Sequence, residues 1–323
     1  MKRDLAEQLD PELKGPVKTM LSQMPPNDFN NLPAARAASK QMMAMMKSQI
    51  PDIPGVATED KKIPGPTGAP DVAVRIYRPE NQSVLLPALL WIHGGGYMLG
   101  ELDNEDFTAK NYVLAGNCVV VSVDYRLAPE NPFPAPLEDC YAALKWLATN
   151  ADELRVDKSR IAIGGASAGG GLASGLALLA RDRQEVKVFF QLLVYPMLND
   201  CNIEPASDTL PDALFWTRES NLMGWRCYLG CEPGGKNIPY HAAAYRADNL
   251  EGLPPAYITV GDIDLFAQED IEYAGRLVEA GVPTELHVYP GGPHAFDMLV
   301  PGADISKRFV ADIHRVLKRA LHQ

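Results

Sequence analysis

Two glycine-rich runs in this chain set a reactive side chain beside bare backbone. The first, Gly165-Ala166-Ser167-Ala168-Gly169, is a G-x-S-x-G element between an apolar run, Ile161 to Ile163, and a helical stretch, Leu172 to Ala180. A strand–turn–helix setting of this kind holds a serine in a strained conformation with its Oγ exposed. Gly165 and Gly169 lack the Cβ atoms that would keep strand and helix apart. Alone the motif is only suggestive, since a glycine-rich strand-to-helix turn has the same letters. The second run, His93-Gly94-Gly95-Gly96-Tyr97, follows the apolar stretch Leu85 to Ile92 and is far rarer by chance. Consecutive glycines let backbone N–H groups face inward, toward an oxygen that gains negative charge. A serine nucleophile with such donors upstream is equipment for attack on an acyl carbon.

A serine nucleophile needs a base, and six histidines are available: His93, His241, His287, His294, His314 and His322. His294 is favoured because it lies in a loop, Tyr289-Pro-Gly-Gly-Pro-His294, directly after the last apolar run, Glu285 to Tyr289. Loops after the strands of an α/β sheet are where catalytic groups are presented. His287 falls within that strand. His314 and His322 sit among Arg315, Lys318 and Arg319, where a solvated helix face is expected. His241 belongs to a segment less easily aimed. The base in turn needs a carboxylate to fix its tautomer. Gly261-Asp262-Ile263-Asp264 offers two, with Asp264 the first choice and Asp262 the second. Asp270, just beyond, reads as a helix cap. The chain order Ser167, Asp264, His294 is the Ser…Asp…His order of the α/β-hydrolases.

These residues need a frame to hold them. From residue 72 the chain alternates β-branched runs with helix-length periodic stretches, which predicts a mostly parallel sheet covered by helices on both faces, an α/β fold. Strands are expected at Val72 to Arg78, Leu85 to Ile92, Cys118 to Val123, Ile161 to Ile163, Lys187 to Val194, Ala256 to Val260 and Glu285 to Tyr289. Leu137, Cys140, Tyr141, Leu144 and Leu147 mark one amphipathic helix. Ile271, Ala274, Leu277 and Val278 mark a second, and Ile305, Phe309, Ile313, Val316 and Leu317 a third. Two segments break the alternation, residues 1–60 and 199–246. Both are expected to form a helical cap, over a catalytic core made of residues 61–198 and 247–323. Within the first, a helix is expected from Ala34 to Gln49, and its cluster of Met42, Met43, Met45 and Met46 suits packing onto the body.

Composition narrows the partners. Among 323 residues, 46% hydrophobic and 22% charged describe an ordinary globular chain, and a net charge of −11 disfavours nucleic acid and anionic membrane. The charged opening MKRDLAEQLD lacks signal-peptide character and no apolar run reaches about 18 residues, so a cytoplasmic protein without a membrane span is expected. Five cysteines with no C-x-x-C pair argue against a disulfide framework. Cys227 and Cys231 lack the partners for zinc, so no metal is expected. Gly230 to Asn237 narrowly misses a phosphate-binding loop, because Asn237 stands where Ser or Thr is needed.

Taken together, the chain resembles the hormone-sensitive-lipase family of bacterial esterases, also called group IV lipolytic enzymes. The resemblance rests on His93 to Gly96 with Tyr97, on Asp124-Tyr125-Arg126-Leu127-Ala128-Pro129-Glu130, on Gly165 to Gly170, on Gly261 to Asp264 and on Gly292-Pro293-His294-Ala295-Phe296. It implies the α/β-hydrolase fold, with Ser167 as nucleophile, His294 as base and Asp264 as its orienter. Gly95, Gly96 and Ala168 would donate backbone N–H groups to the oxyanion. It further implies a small-molecule ester of short to medium acyl chain as substrate, no cofactor, and a cap built from the N-terminal segment and the insertion. Relatives often dimerise, so a homodimer is its expectation for assembly. Ala166 stands where relatives commonly carry Asp or Thr, and Leu265 where many have Pro. Amide hydrolysis, acyl transfer, or ligand binding without catalysis would fit the same fold.

Overall fold

The computed structural model describes residues 5–23, 29–49, 52–203 and 214–322. The chain opens with helices α1 (Leu5–Gln8), α2 (Pro11–Gln23) and α3 (Leu32–Gln49) and then enters the sheet. Strands β1 (Val56–Ile63), β2 (Val72–Pro79) and β3 (Leu86–Ile92) lead to helix α4 (Asp106–Gly116) and strand β4 (Val119–Asp124). Helix α5 (Ala135–Thr149), strand β5 (Val156–Ala166), helix α6 (Ala168–Arg183) and strand β6 (Phe190–Val194) follow. Helix α7 (Arg218–Leu229) lies in the insertion, and β7 (Ala256–Gly261), α8 (Ala267–Glu279), β8 (Thr284–Tyr289), α9 (Phe296–Leu299) and α10 (Asp304–Leu321) complete the chain.

Among the described residues the strands form one sheet of eight in the order β1-β2-β4-β3-β5-β6-β7-β8. The pairs β1–β2 and β2–β4 are antiparallel and the rest parallel, which is the mostly parallel sheet expected from the alternation. On β3 the period of two is visible in the packing. Leu86, Ala88, Leu90 and Ile92 face the core under α5, α6 and α8, whereas Leu89 and Trp91 face the core under α4 and α10. Because both faces are covered, β3 is buried throughout and reads as a continuous apolar run.

Several expectations shift. The sheet begins at Val56, inside the span read as N-terminal cap, because β1 is an edge strand buried only at its two ends and filled with Glu59, Asp60, Lys61 and Lys62. Such charges protect an edge and hide it from a hydrophobic pattern. On α8 the expected apolar face holds at Ala274 and Leu277, which are buried, and not at Ile271 and Val278, which are 44% and 59% exposed; Ala267, Glu269, Asp270 and Tyr273 complete the buried set. Asp270 is therefore a fully buried residue in the first turn and not the cap, and Phe266 takes the cap position. Of the methionine cluster, Met42 is exposed and Met43 half-buried, and the side chains of Met45 and Met46 lie outside the described residues. Among the described residues no helix is long and apolar enough to cross a membrane.

Candidate active site

The three side chains singled out in the sequence sit after three different strands. Ser167 follows β5, Asp264 follows β7 and His294 follows β8, all at the carboxyl ends of parallel strands, where an α/β sheet presents its ligand groups. The structure brings them together. His294 Nε2 lies 3.0 Å from Ser167 Oγ, and His294 Nδ1 lies 2.8 Å from Asp264 Oδ2. With Asp264 ionised, Nδ1–H donates to the carboxylate, which leaves Nε2 free to accept the serine proton. Asp264 is itself anchored, since its Oδ1 accepts the Phe266 backbone N–H at 3.0 Å. Asp262 goes elsewhere: its Oδ1 accepts the Gly291 N–H at 2.6 Å and steadies the loop that carries His294.

The serine conformation follows from its neighbours. Ser167 has φ +57 and ψ −121, a region costly for a residue with a Cβ. The turn survives because it is over-determined: Ser167 N–H donates to Val194 O at 2.9 Å, and Ser167 O accepts from Gly171 and Met197 at 3.0 Å each. The flanking glycines do the task assigned to them. A Cβ on Gly165 would fall 2.3 Å from Gly169, and one on Gly169 would fall 2.1 Å from Ile92 O.

The loop after β3 runs beside the serine, with a Cβ built on Gly94 lying 3.5 Å from Ser167 Cβ. Gly95, Gly96 and Tyr97 take φ values of +114, +59 and +65 in succession. That turn is closed by Met98 and Leu99 N–H groups on Gly95 O. Among the described residues no acceptor takes the N–H of Gly95, Gly96 or Ala168. Support comes from the segment after β4. Tyr125 donates its hydroxyl to His93 O at 3.0 Å and stacks on the His93 ring at 4.2 Å. Ala128 N–H donates to Tyr97 O, and Arg126 pairs with the fully buried Asp139. Burial lowers the His93 imidazole to about 4, so it stays neutral beneath the loop.

The remaining histidines stand apart from this centre. His241 contacts Asp182, His287 lies in β8 beside Glu285, and His322 reaches Gly116 O. His314 is not on a solvated face, because it packs edge-on against Tyr112 and burial lowers its pKa. Sequence reasoning did not single out Glu269, Tyr195 or Trp216. Glu269 is buried, pushed up to about 8 by desolvation, and accepts from Leu198 N, Asn199 N and Asn202 Nδ2, tying the start of the insertion to α8. Tyr195 packs its ring edge against His294 and points its hydroxyl at Asp297, whose carboxyl burial raises to about 6. No spacing signal marks any of the three.

Comparison with known proteins agrees with this fold. A family model described as alpha/beta hydrolase fold matches residues 89–298. Carboxylesterase NlhH of Mycobacterium tuberculosis is 37% identical over 319 residues, covering 95% of this chain and 96% of that protein. Esterase LipI of the same organism is 39% identical over 236 residues, 72% of this chain and 73% of its own. Among solved structures, a bacterial heroin esterase superposes with a TM-score of 0.92 at 38% identity, covering 99% of this chain and all of that one. Fold, strand-end geometry and near full-length similarity converge, and the chain belongs to the hormone-sensitive-lipase-like, group IV esterase family of the α/β-hydrolase fold.

Proposed function

We propose that this protein is a serine carboxylesterase that hydrolyses small esters of short to medium acyl chain through an acyl-enzyme. The observation that carries the reading is the continuous Ser167–His294–Asp264 relay at 3.0 and 2.8 Å. In this reading Ser167 Oγ attacks the ester carbonyl carbon while His294 Nε2 takes its proton. The carbonyl oxygen becomes an oxyanion and is met by the N–H groups of Gly95, Gly96 and Ala168. Collapse breaks the bond to the alcohol oxygen, which leaves with the proton from His294. Water then repeats the sequence on the acyl-serine, releasing the carboxylic acid and restoring Ser167. Asp264 holds the imidazole in its tautomer and offsets the imidazolium charge. The related proteins named as esterases and carboxylesterases support the reaction class. We further propose that helices α1 to α3 and the insertion form the cap over this centre.

The test is the rate of p-nitrophenyl ester hydrolysis by the wild type and Ser167→Ala, purified side by side. The expected loss is at least about 10⁴-fold in kcat with the fold unchanged by circular dichroism. A variant with near-wild-type turnover would overturn the assignment.

A further inference from the structure

Gly96 is itself one of the proposed oxyanion donors, and its outer face is covered. A Cβ built on Gly96 would lie 2.1 Å from Cη2 and 2.8 Å from Cζ2 of Trp216. The far edge of that indole therefore rests on the bare backbone of the loop. Trp216 is held on every side the structure shows. It is 8% exposed, and its indole N–H donates to Asn221 Oδ1 at 3.2 Å. Asn221 is fixed in turn by donating its Nδ2–H to Asn202 O at 2.8 Å. Phe29, from the turn ahead of α3, packs on the ring with centroids 5.9 Å apart. Beneath it α7 presents Gly224, where an added Cβ would meet Trp216 Cζ2 at 3.3 Å and Met197 Cε at 3.5 Å. A ring so hemmed in cannot swing aside cheaply for a longer substrate.

An ester in this site has two arms. His294 Nε2 must hand a proton to the departing alcohol, so the alcohol arm lies on the imidazole side. The acyl arm leaves the carbonyl carbon in the other direction, past the loop donors. We infer that Trp216 is the wall that ends the acyl pocket, so that this single indole limits the enzyme to short acyl chains. The inference rests on the proposed ester hydrolysis and adds which residue sets the chain length. Asn221, Phe29 and Gly224 are positioning residues, acting through the ring they hold.

The experiment measures kcat/KM on p-nitrophenyl esters from acetate to laurate for the wild type, Trp216→Phe and Trp216→Ala. A second series measures alkyl acetates of increasing alcohol length by proton release. Each methylene admitted to or refused by an apolar pocket is worth about tenfold in kcat/KM. The wild type is expected to fall steeply beyond butyrate. Trp216→Ala should peak at octanoate or beyond, with a gain of at least about tenfold on that ester relative to acetate, and Trp216→Phe should fall between. The alcohol series should keep its order in all three proteins. An acyl profile that does not move, or a shift in the alcohol series in its place, overturns the inference while leaving the esterase intact. A wild type that hydrolyses no ester removes the proposed function and this inference together. Should Trp216→Ala not fold, Trp216→Phe, which keeps a ring in the same place, decides the matter on the same scale.

Discussion

The segment before β1 and the insertion after β6 both press on the loop between Gly95 and Glu101, yet they hold it by different forces. From the N-terminal side the grip is polar and lies at the rim. Arg36 of α3 donates to Met98 O at 2.9 Å and Ala128 O at 3.0 Å and makes a two-pronged pair with Glu130, while Lys40 pairs with Glu101. From the insertion the grip is steric and reaches Gly96, one of the proposed donors. Trp216 covers Gly96, and the α7 backbone comes so near that a Cβ on Gly224 would lie 3.1 Å from Gly96 O. Long charged side chains can relax into water when the rim moves. Backbone packed on backbone cannot, so the insertion should govern rate and selectivity, and α3 mainly the cohesion of the two loops it bridges.

The largest effect that would break this division is expected at Gly224. Valine there adds γ-methyl groups beyond a Cβ that already lies within 3.5 Å of Gly96 O, Trp216 and Met197. The softer outcome, in which α7 alone retreats, would leave the N–H donors in place. If the loop yields, kcat on p-nitrophenyl acetate should fall about 10²-fold, the usual effect of losing one oxyanion donor. Acetate is the informative substrate because it is too short to reach the wall, so a loss reports the donors and not the pocket. Near-wild-type kcat for Gly224→Val would show that the insertion lies on the loop without bracing it.

The underside of the same loop sharpens the comparison, because there the support is neither charge nor bulk but a neutral buried ring. His93 is 1% exposed, stacks on Tyr125 and donates its Nδ1–H to Gly94 O at 2.8 Å. Burial holds its pKa at about 4 against an ordinary value near 6.5. Between these values the unfolded chain takes up a proton that the folded chain refuses. Its contribution to stability is therefore complete above pH 6.5 and is lost as pH falls toward 4, a loss of about 3 kcal/mol at most. Buried Glu269 and Asp297, raised to about 8 and about 6, tilt the profile the opposite way in both proteins, so the slope is read as the difference between wild type and His93→Gln in thermal unfolding from pH 4 to 7. An unchanged slope in the variant would assign the acid sensitivity to other groups.

The two regions also differ in how far they could be read from the letters. Near the loop's core side, local constraint wrote itself into sequence. His93 to Gly96, Ser167 between its glycines, and His294 after an apolar run each need special backbone at one point, and glycine or strand-end placement reveals it. The packing of α10 was equally plain, since Ile305, Phe309, Ile313, Val316 and Leu317 are all buried at helical spacing. Chain order alone leaves Asp262 and Asp264 both open, the family resemblance implies Asp264, and the structure sets Asp264 against His294 and gives Asp262 to Gly291. The covering segments carry no such signal. Trp216 meets Gly96 across 120 positions of sequence, and Arg36 meets Glu130 across 94. Neither contact has a period or a local motif. On α8 the periodic reading holds for the helix and for Ala274 and Leu277 but misses at its edges, because the buried row includes Asp270 while Ile271 faces water, a polarity inversion that no hydrophobic template anticipates.

The smallest effect belongs to Arg36, and it tests the other half of the contrast. Its guanidinium serves three acceptors on two loops, Met98 O, Ala128 O and the Glu130 carboxylate, a fan that a planar fork can reach and an ammonium cannot. The side chain is 30% exposed and Glu130 56%, so solvent screens the pair and most of the value lies in the two carbonyl contacts. Arg36→Ala should cost about 1–2 kcal/mol by urea unfolding, and Arg36→Lys should recover less than half of it. Turnover of p-nitrophenyl acetate should stay within about threefold of wild type, because Trp216 and α7 still fix Gly96 when the rim loosens. A fall in kcat as large as that expected for Gly224→Val, without a matching loss of stability, would mean that α3 sets the donor geometry directly, and the division of labour between the two segments would have to be reversed.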